Sequence, residues 1–131
     1  MQVTYTIPGV PVALQRPRVS YKTHHVYDPQ SHIKESAQAI LRFQHHSPCP
    51  FEGPLKLTLT FHMPIPASTP KSRDLHHKPH TKRPDIDNLI KFVLDCCNAT
   101  IFTDDALVFD LSSSKIYDIV PRTEITINTE D

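Results

Sequence analysis

The chain has 131 residues, 38% of them hydrophobic and 21% charged, the size and make-up of one ordinary globular domain. No apolar stretch is long enough to cross a bilayer, the opening MQVTYTIPGVPVAL lacks the basic start and long apolar core of a secretory leader, and three cysteines, two of them adjacent, make no disulfide framework. A reduced, cytoplasmic protein with no membrane partner is expected, and its formal net charge is zero.

In chain order, QVTYTI (2–7) alternates and is rich in β-formers, so it reads as a strand. QRPRVS (15–20) reads as an edge or loop because of Pro17. Asp28-Pro29 has the form of an N-cap followed by proline at the first helical position. A helix from there to about His46 is expected, with Ile33, Ala37, Ile40 and Leu41 on one stripe. SPCPFEGP (47–54) is a loop. LKLTLTFHM (55–63) alternates strictly and predicts a strand with one buried face. Residues 64–84 carry five prolines and a cluster of cations with no apolar period, which reads as a long, mobile loop of the kind that is usually functional or disordered. Ile86, Leu89, Ile90, Val93, Leu94 and Cys97 then repeat at helical spacing as far as about Asn98. Residues 106–119 and 123–128 read as two more strands, with Pro121 in the turn between them. The expectation is one α+β domain over 1–131, a mixed sheet of about four main strands with two helices, in the order β-α-β-α-β-β.

The zero charge hides a segregation. Residues 1–83 carry 11 Lys/Arg against 4 Asp/Glu, residues 84–131 carry 3 against 10, and all nine histidines lie in the first part. This fits a polyanion partner for one surface and a cation site on another, or simply two halves that attract each other in the fold.

The acids gather at both ends of the second helix: Asp85 and Asp87 before it, Asp104 and Asp105 after it. Taken singly, Asp85 reads as a helix cap and Asp104-Asp105 as a turn. Taken together they read differently. Residues 99–103 can span roughly 17 Å when extended, against about 20 Å for the helix, so Asp104 or Asp105 could return beside Asp85 and Asp87. Such a cluster needs a cation, and all-oxygen donors point to Mg²⁺, with Mn²⁺ as a substitute. Lys91 lies one turn after Asp87. It could stabilise developing negative charge or form an ordinary ion pair. Lys71, Arg73, Lys78, Lys82 and Arg83, with Arg16 and Arg18, could hold phosphates or be solvated singly. His76-His77 and His80 have a zinc-like composition, but no second ligand pair with zinc-finger spacing accompanies them, and zinc is the weaker reading.

The run Pro84-Asp85-Ile86-Asp87-Asn88-Leu89-Ile90-Lys91, then Leu94-Asp95, Asp104-Asp105 and Lys115-Ile116-Tyr117, resembles the signature of the RusA family of Holliday junction resolvases: PDxDNLxK, LDAL, DD and a strand ending KxY. GVPVALQRPR (9–18) and FEGPLKLTLTFHMP (51–64) resemble the family's N-terminal strand with its RPR turn and its central strand. The resemblance implies that Asp85, Asp87 and Asp105 bind Mg²⁺ and are needed for cleavage, and that Lys91 acts in catalysis. It implies a phage-related homodimer that nicks four-way DNA junctions symmetrically, with no small-molecule cofactor. Two positions depart from the pattern. Leu107 stands where members often have Gln, and Ala99 replaces a glycine, which puts the turn after the helix in question. Two rival readings remain: a junction-binding module without catalysis, and another Mg²⁺-dependent phosphoryl-transfer enzyme acting on a nucleotide. The second lacks a Gly-rich phosphate loop.

Overall fold

A computed structural model describes residues 1–129. Its centre is β4 (Leu55–Pro64), and the alternation of that segment explains why. Leu55, Leu57, Leu59, Phe61 and Met63 point to one side, and none is more than 2% exposed. β4 pairs antiparallel with β6 (Arg122–Thr129) and parallel with β5 (Val108–Asp118), while β1 (Gln2–Pro8) lies antiparallel against β6. The four-stranded order is therefore β1-β6-β4-β5. Ile125 and Ile127 of β6 and Tyr5 of β1 extend the same apolar face.

Two helices cover that face. α1 (Ser31–Gln44) contributes Ala37 and Leu41, and α2 (Ile86–Cys97) contributes Leu89, Phe92, Val93, Cys96 and Cys97. Burying an apolar side chain of this kind is worth about 1.5–3 kcal/mol. Of the stripe read from the sequence, Leu89, Val93 and Cys97 hold α2 down together with Phe92 and Cys96, while Ile86, Ile90 and Leu94 stay only partly buried, so the buried face is turned from the expected one. α2 also forms the connection between parallel β4 and β5, which a short turn could not make. The two helices are joined at the surface by Lys34, whose ammonium lies 2.7 Å from Asp28 and 3.3 Å from Asp95. The other face of the sheet carries Lys56, Thr58 and Thr60 of β4 beside Glu124 and Thr126 of β6 and is polar. No helix among the described residues is long and apolar enough to cross a membrane.

The expected fold is present: an α+β arrangement with two helices, a mixed four-stranded sheet and the order β-α-β-α-β-β. Local details differ. Residues Arg18–Val19 and Val26–Tyr27 form a small separate hairpin, β2 and β3. Asp28 does not cap α1. Its carboxylate accepts from the Gln30 amide at 2.8 Å and from Lys34, so the chain completes a turn first and the helix begins at Ser31 with Gln30 at the cap. The segment expected as strand from residue 106 begins with a 3-10 turn (Asp105–Leu107), because Asp104 Oδ1 accepts from the Ala106 amide at 3.1 Å. Residues 77–80 of the long loop are not free. His77 N donates to Tyr117 O at 2.8 Å, Tyr117 N to Lys78 O at 3.0 Å, and His80 N to Lys115 O at 3.0 Å, which binds this stretch along β5.

Candidate active site

That binding along β5 positions the start of α2. Lys115 Nζ donates to both Lys82 O and Pro84 O at 2.7 Å. Two charge-assisted bonds to carbonyls two residues apart fix the chain immediately before Asp85. Asp85 then takes an extended conformation at the N-cap, and its carbonyl accepts from Leu89 N at 3.3 Å. Its side chain makes no capping hydrogen bond. A capping aspartate would spend its carboxylate on the amides of the first turn; this one does not. Asp87 follows in the first turn, well exposed. Arg83, Pro84, Asp85 and Asn88 line an open cleft of about 420 Å³.

Lys91 lies with its Nζ 4.0 Å from Asp87 Oδ2, and both side chains are more than 60% exposed. A loose pair in water contributes little to stability, so the ammonium is held near Asp87 without being consumed by it. The donor set of Asp85 and Asp87 fits a Mg²⁺ ion: hard oxygens, one or two carboxylates, and space for water and a phosphate oxygen.

The four carboxylates do not meet within the chain. Asp105 Oδ2 lies 3.4 Å from Asn98 Nδ2, and Asn98 caps the far end of α2. The 12-residue helix separates that end from Asp85 by about 18 Å. Residues 98–103 are not extended. Thr100 N and Ile101 N both turn back to Cys97 O, and Ile101 and Phe102 are fully buried. The apolar pair pulls the chain into the core and uses up the reach that a return to Asp85 would need.

The cations are all exposed, and some are tied to the same end of α2. Leu14 N donates to Asn88 O at 2.9 Å, and Gln30 clamps Ala13 O and Gln15 N at 2.8 Å each, so Arg16 leaves the surface close to the head of the helix. Arg18 begins β2. Lys82 and Arg83 directly precede Asp85, and Lys78 lies on the stretch bound to β5. Lys71 and Arg73 lie on an earlier turn closed by Arg73 N to Pro70 O at 3.0 Å, with no bond that brings them to α2.

A family profile described as Endodeoxyribonuclease RusA matches residues 8–128. The chain belongs to the RusA family. "Uncharacterized protein YqaN" of Bacillus subtilis (strain 168) is 34% identical over 134 residues, covering 95% of this chain and 94% of that protein. The RusA-family span takes in both helices, β4, β5 and nearly all of β6, and with them every acid and cation named above.

Two residues of this RusA-family chain were not singled out for a role by sequence reasoning. Lys115 appeared only as the first letter of KxY; its spacing from Pro84 says nothing about contact. Asn98 appeared only as the end of a helix, yet its amide carries the bond to Asp105.

Proposed function

We propose that this chain is a Mg²⁺-dependent endonuclease that cuts four-way DNA junctions by paired, symmetric nicks. The observation that carries the reading is the unspent carboxylate of Asp85, beside Asp87, at the head of a helix in a cleft shared with Arg83. Asp85 and Asp87 would hold the ion. A bound Mg²⁺ supplies Lewis-acid polarisation of the scissile phosphate and lowers the pKa of its water. Lys91, one turn on, stabilises the negative charge that develops on the phosphate oxygens. Arg83 and Lys82 hold the backbone of the same strand, and Arg16 and Arg18 extend that grip along the N-terminal segment. Lys115 keeps Pro84 and Asp85 in place while the strand is loaded.

A homodimer completes the site. α2 has carboxylates at both ends, and one chain cannot bring them together. Two copies with their α2 helices antiparallel about a two-fold axis would set Asp105 of the partner subunit beside Asp85 and Asp87. Two observations support this pairing. Ile86, Ile90 and Leu94 recur every fourth residue on α2 and remain only partly buried. Asn98 Oδ1, next to Asp105, is buried with no hydrogen-bond partner. A two-fold dimer also matches a two-fold junction, one site for each opposing strand.

The test is a labelled four-way junction beside a matched linear duplex, in Mg²⁺, Mn²⁺ and chelator. Paired, metal-dependent nicks on the junction alone are expected. Asp85→Asn should keep its melting temperature within about 1 °C, because no cap is lost, and keep junction binding while nicking falls below detection. Equal nicking by variant and parent sinks the assignment. Tight binding with no nicks from the parent would make the chain a binding module, and neither binding nor nicks would return the nucleotide reading.

A further inference from the structure

A second cluster of ligating groups lies at the opposite end of β5 from Asp105. His62 sits on the open polar face of the sheet, yet it is only 6% exposed. Its Nδ1 meets Asp118 and its Nε2 faces Glu124, and the long loop reaches the same Asp118 carboxylate. His76 Nε2 lies 3.4 Å from Asp118 Oδ1, and His77 Nε2 lies 3.9 Å from Asp118 Oδ2. The three ligand atoms are all within 4.8 Å of one another. Neighbouring side chains on an extended chain point to opposite sides. Here His77 adopts φ 67°, uncommon for a histidine, and the two rings stack with centroids 3.7 Å apart at 30°. The backbone has turned so that both imidazoles face the same carboxylate. The bond from His77 N to Tyr117 O fixes that turn against β5.

We propose that His76, His77 and Asp118 form a transition-metal site, of the Zn²⁺ class, that fastens the cationic loop to the edge of the sheet. Two imidazoles and one carboxylate are the ligands of a three-coordinate protein site with a fourth position for water. Imidazole nitrogen selects Zn²⁺ and its neighbours over Mg²⁺. With Zn–N and Zn–O bonds of about 2.0–2.1 Å the edge of a tetrahedron is ~3.3 Å, so ligand atoms that lie within 4.8 Å of one another would have to close by up to about 1.5 Å.

The carboxylate is already aimed. His62 Nδ1 lies 3.0 Å and an Arg122 guanidinium nitrogen 3.3 Å from Asp118 Oδ2. These two fill that oxygen. Among the described residues Asp118 Oδ1 accepts a hydrogen bond from the Val120 amide alone, at 3.0 Å, which leaves a lone pair for His76, 3.4 Å away. Binding would therefore use Oδ1, while Arg122 and His62 hold the group by its other oxygen, an arrangement that orients ligands in metal sites generally. Arg122 and His62 are themselves held by Glu124, at 2.9 Å and 3.4 Å. His80 is not part of the cluster. Its ring packs edge-on against Tyr117 at 4.8 Å.

The consequence is mechanical. The segment that leaves the cluster, from Lys78 to Arg83, runs directly to Asp85. A metal at His76 and His77 would hold its far end, as Lys115 holds its near end. The claim stands apart from the nuclease reading, because its ligands share no residue with that site.

The test is a titration of the full, untagged chain with Co²⁺, followed by displacement with Zn²⁺, in excess Mg²⁺ so that the carboxylates at α2 are occupied. One Co²⁺ per chain is expected, with visible absorption of low coordination number, lost on adding Zn²⁺. Asp118 is buried and its replacement could unfold the chain, so the pair His76→Gln/His77→Gln, half-buried and exposed respectively, is the deciding variant, with its fold checked by circular dichroism. Its affinity should fall by more than the ~10–100-fold that an outer hydrogen-bond partner costs. The Asp85→Asn/Asp87→Asn variant should bind as the parent does. Zn²⁺ should also slow proteolysis within residues 66–80 of the parent and leave the histidine variant unprotected. No Co²⁺ uptake, uptake unchanged in the histidine variant, or uptake lost with Asp85 and Asp87 would each overturn the site. Uptake without protection would overturn the fastening role.

Discussion

At the first turn of α2, Asp85 makes no cap bond and Asp87 stands in solvent. At the last turn the polar groups are occupied in closing the chain. Thr100 Oγ1 donates to Cys96 O at 2.7 Å and lies 2.9 Å from Cys97 O, Ala99 N donates to Phe102 O at 2.8 Å, and Thr103 N donates to Phe51 O at 3.1 Å. The adjacent thiols share that burial: desolvation pushes Cys96 up to about 12 and Cys97 higher still, which leaves both protonated and inert. One end of the helix thus leaves its charges unused by the fold, and the other consumes its polarity in packing. Asp105 and Asn98 are the exception at the second end. Asn98 Oδ1 is buried without a donor, next to a carboxylate that makes one long contact. The difference teaches where to look for chemistry: at groups that the fold positions but does not use.

The sharpest way to break this comparison is to divide the site between two chains. Asp85→Asn and Asp105→Asn should each abolish nicking when purified alone. If the partner's carboxylate completes the site, a mixed dimer carries one doubly substituted site and one intact site. Co-folding equal amounts should then restore roughly a quarter of the parent's nicking, in single nicks rather than pairs, since about half of the dimers are mixed. No recovery on mixing would place all the catalytic carboxylates of a site on one chain.

A smaller effect tests how the open end is held. Lys115→Met keeps length and removes both bonds to Lys82 O and Pro84 O. Bonds from a charged donor are worth about 1.5–3 kcal/mol when buried; partly exposed, these should together contribute about 1–2 kcal/mol. Nicking should fall about tenfold or more while junction affinity changes little. That split marks a positioning residue, because a general loss of structure would lower both. An unchanged nicking rate would remove Lys115 from the account.

The closed end should respond in the opposite sense. Thr100→Val preserves shape and takes the hydroxyl donor from Cys96 O, while Cys97 O keeps the amides of Thr100 and Ile101. A stability loss of about 1–2 kcal/mol is expected, or about 3–8 °C in melting temperature, with nicking at permissive temperature unaltered. A large fall in nicking with a small fall in stability would reverse the roles assigned to the two ends.

How much of this was legible depends on the range over which each signal acts. β4 and α2 were legible because alternation and the 3.6-residue repeat are local consequences of burying one face. The Asp85 pair was legible as chemistry only through its company, since an aspartate at a helix start is ambiguous until its side chain is seen to make no cap. Asp28 misled for the same reason. Asp-Pro looks like a cap, but Lys34 and the Gln30 amide claim that carboxylate and delay the helix. The place of Asp105 was not legible because the chain could reach either end of α2, and burial of Ile101 and Phe102 chose between them. The convergence of His76 and His77 with Asp118 depends on a loop bound along β5 and has no sequence spacing that would announce it.

The smallest effect concerns Ala99, the residue after the cap of α2, which stands in place of an expected glycine. Its φ is 62°, so the turn kept the left-handed geometry that suits glycine and forced alanine into it. The side chain's clash in that region costs about 1–2 kcal/mol. Glycine would remove the clash but add freedom to the unfolded chain, worth about 0.4–1 kcal/mol in the other direction. Ala99→Gly should therefore stabilise by about 0.5–1 kcal/mol, read as a rise in the midpoint of urea unfolding with an unchanged slope. Nicking should not change, because this turn closes the packed end of the helix. A drop in stability would mean that the Ala99 methyl makes contacts outweighing its backbone cost. A change in nicking would mean that the turn sets the place of Asp105, six residues on, and so reaches the site through the partner subunit.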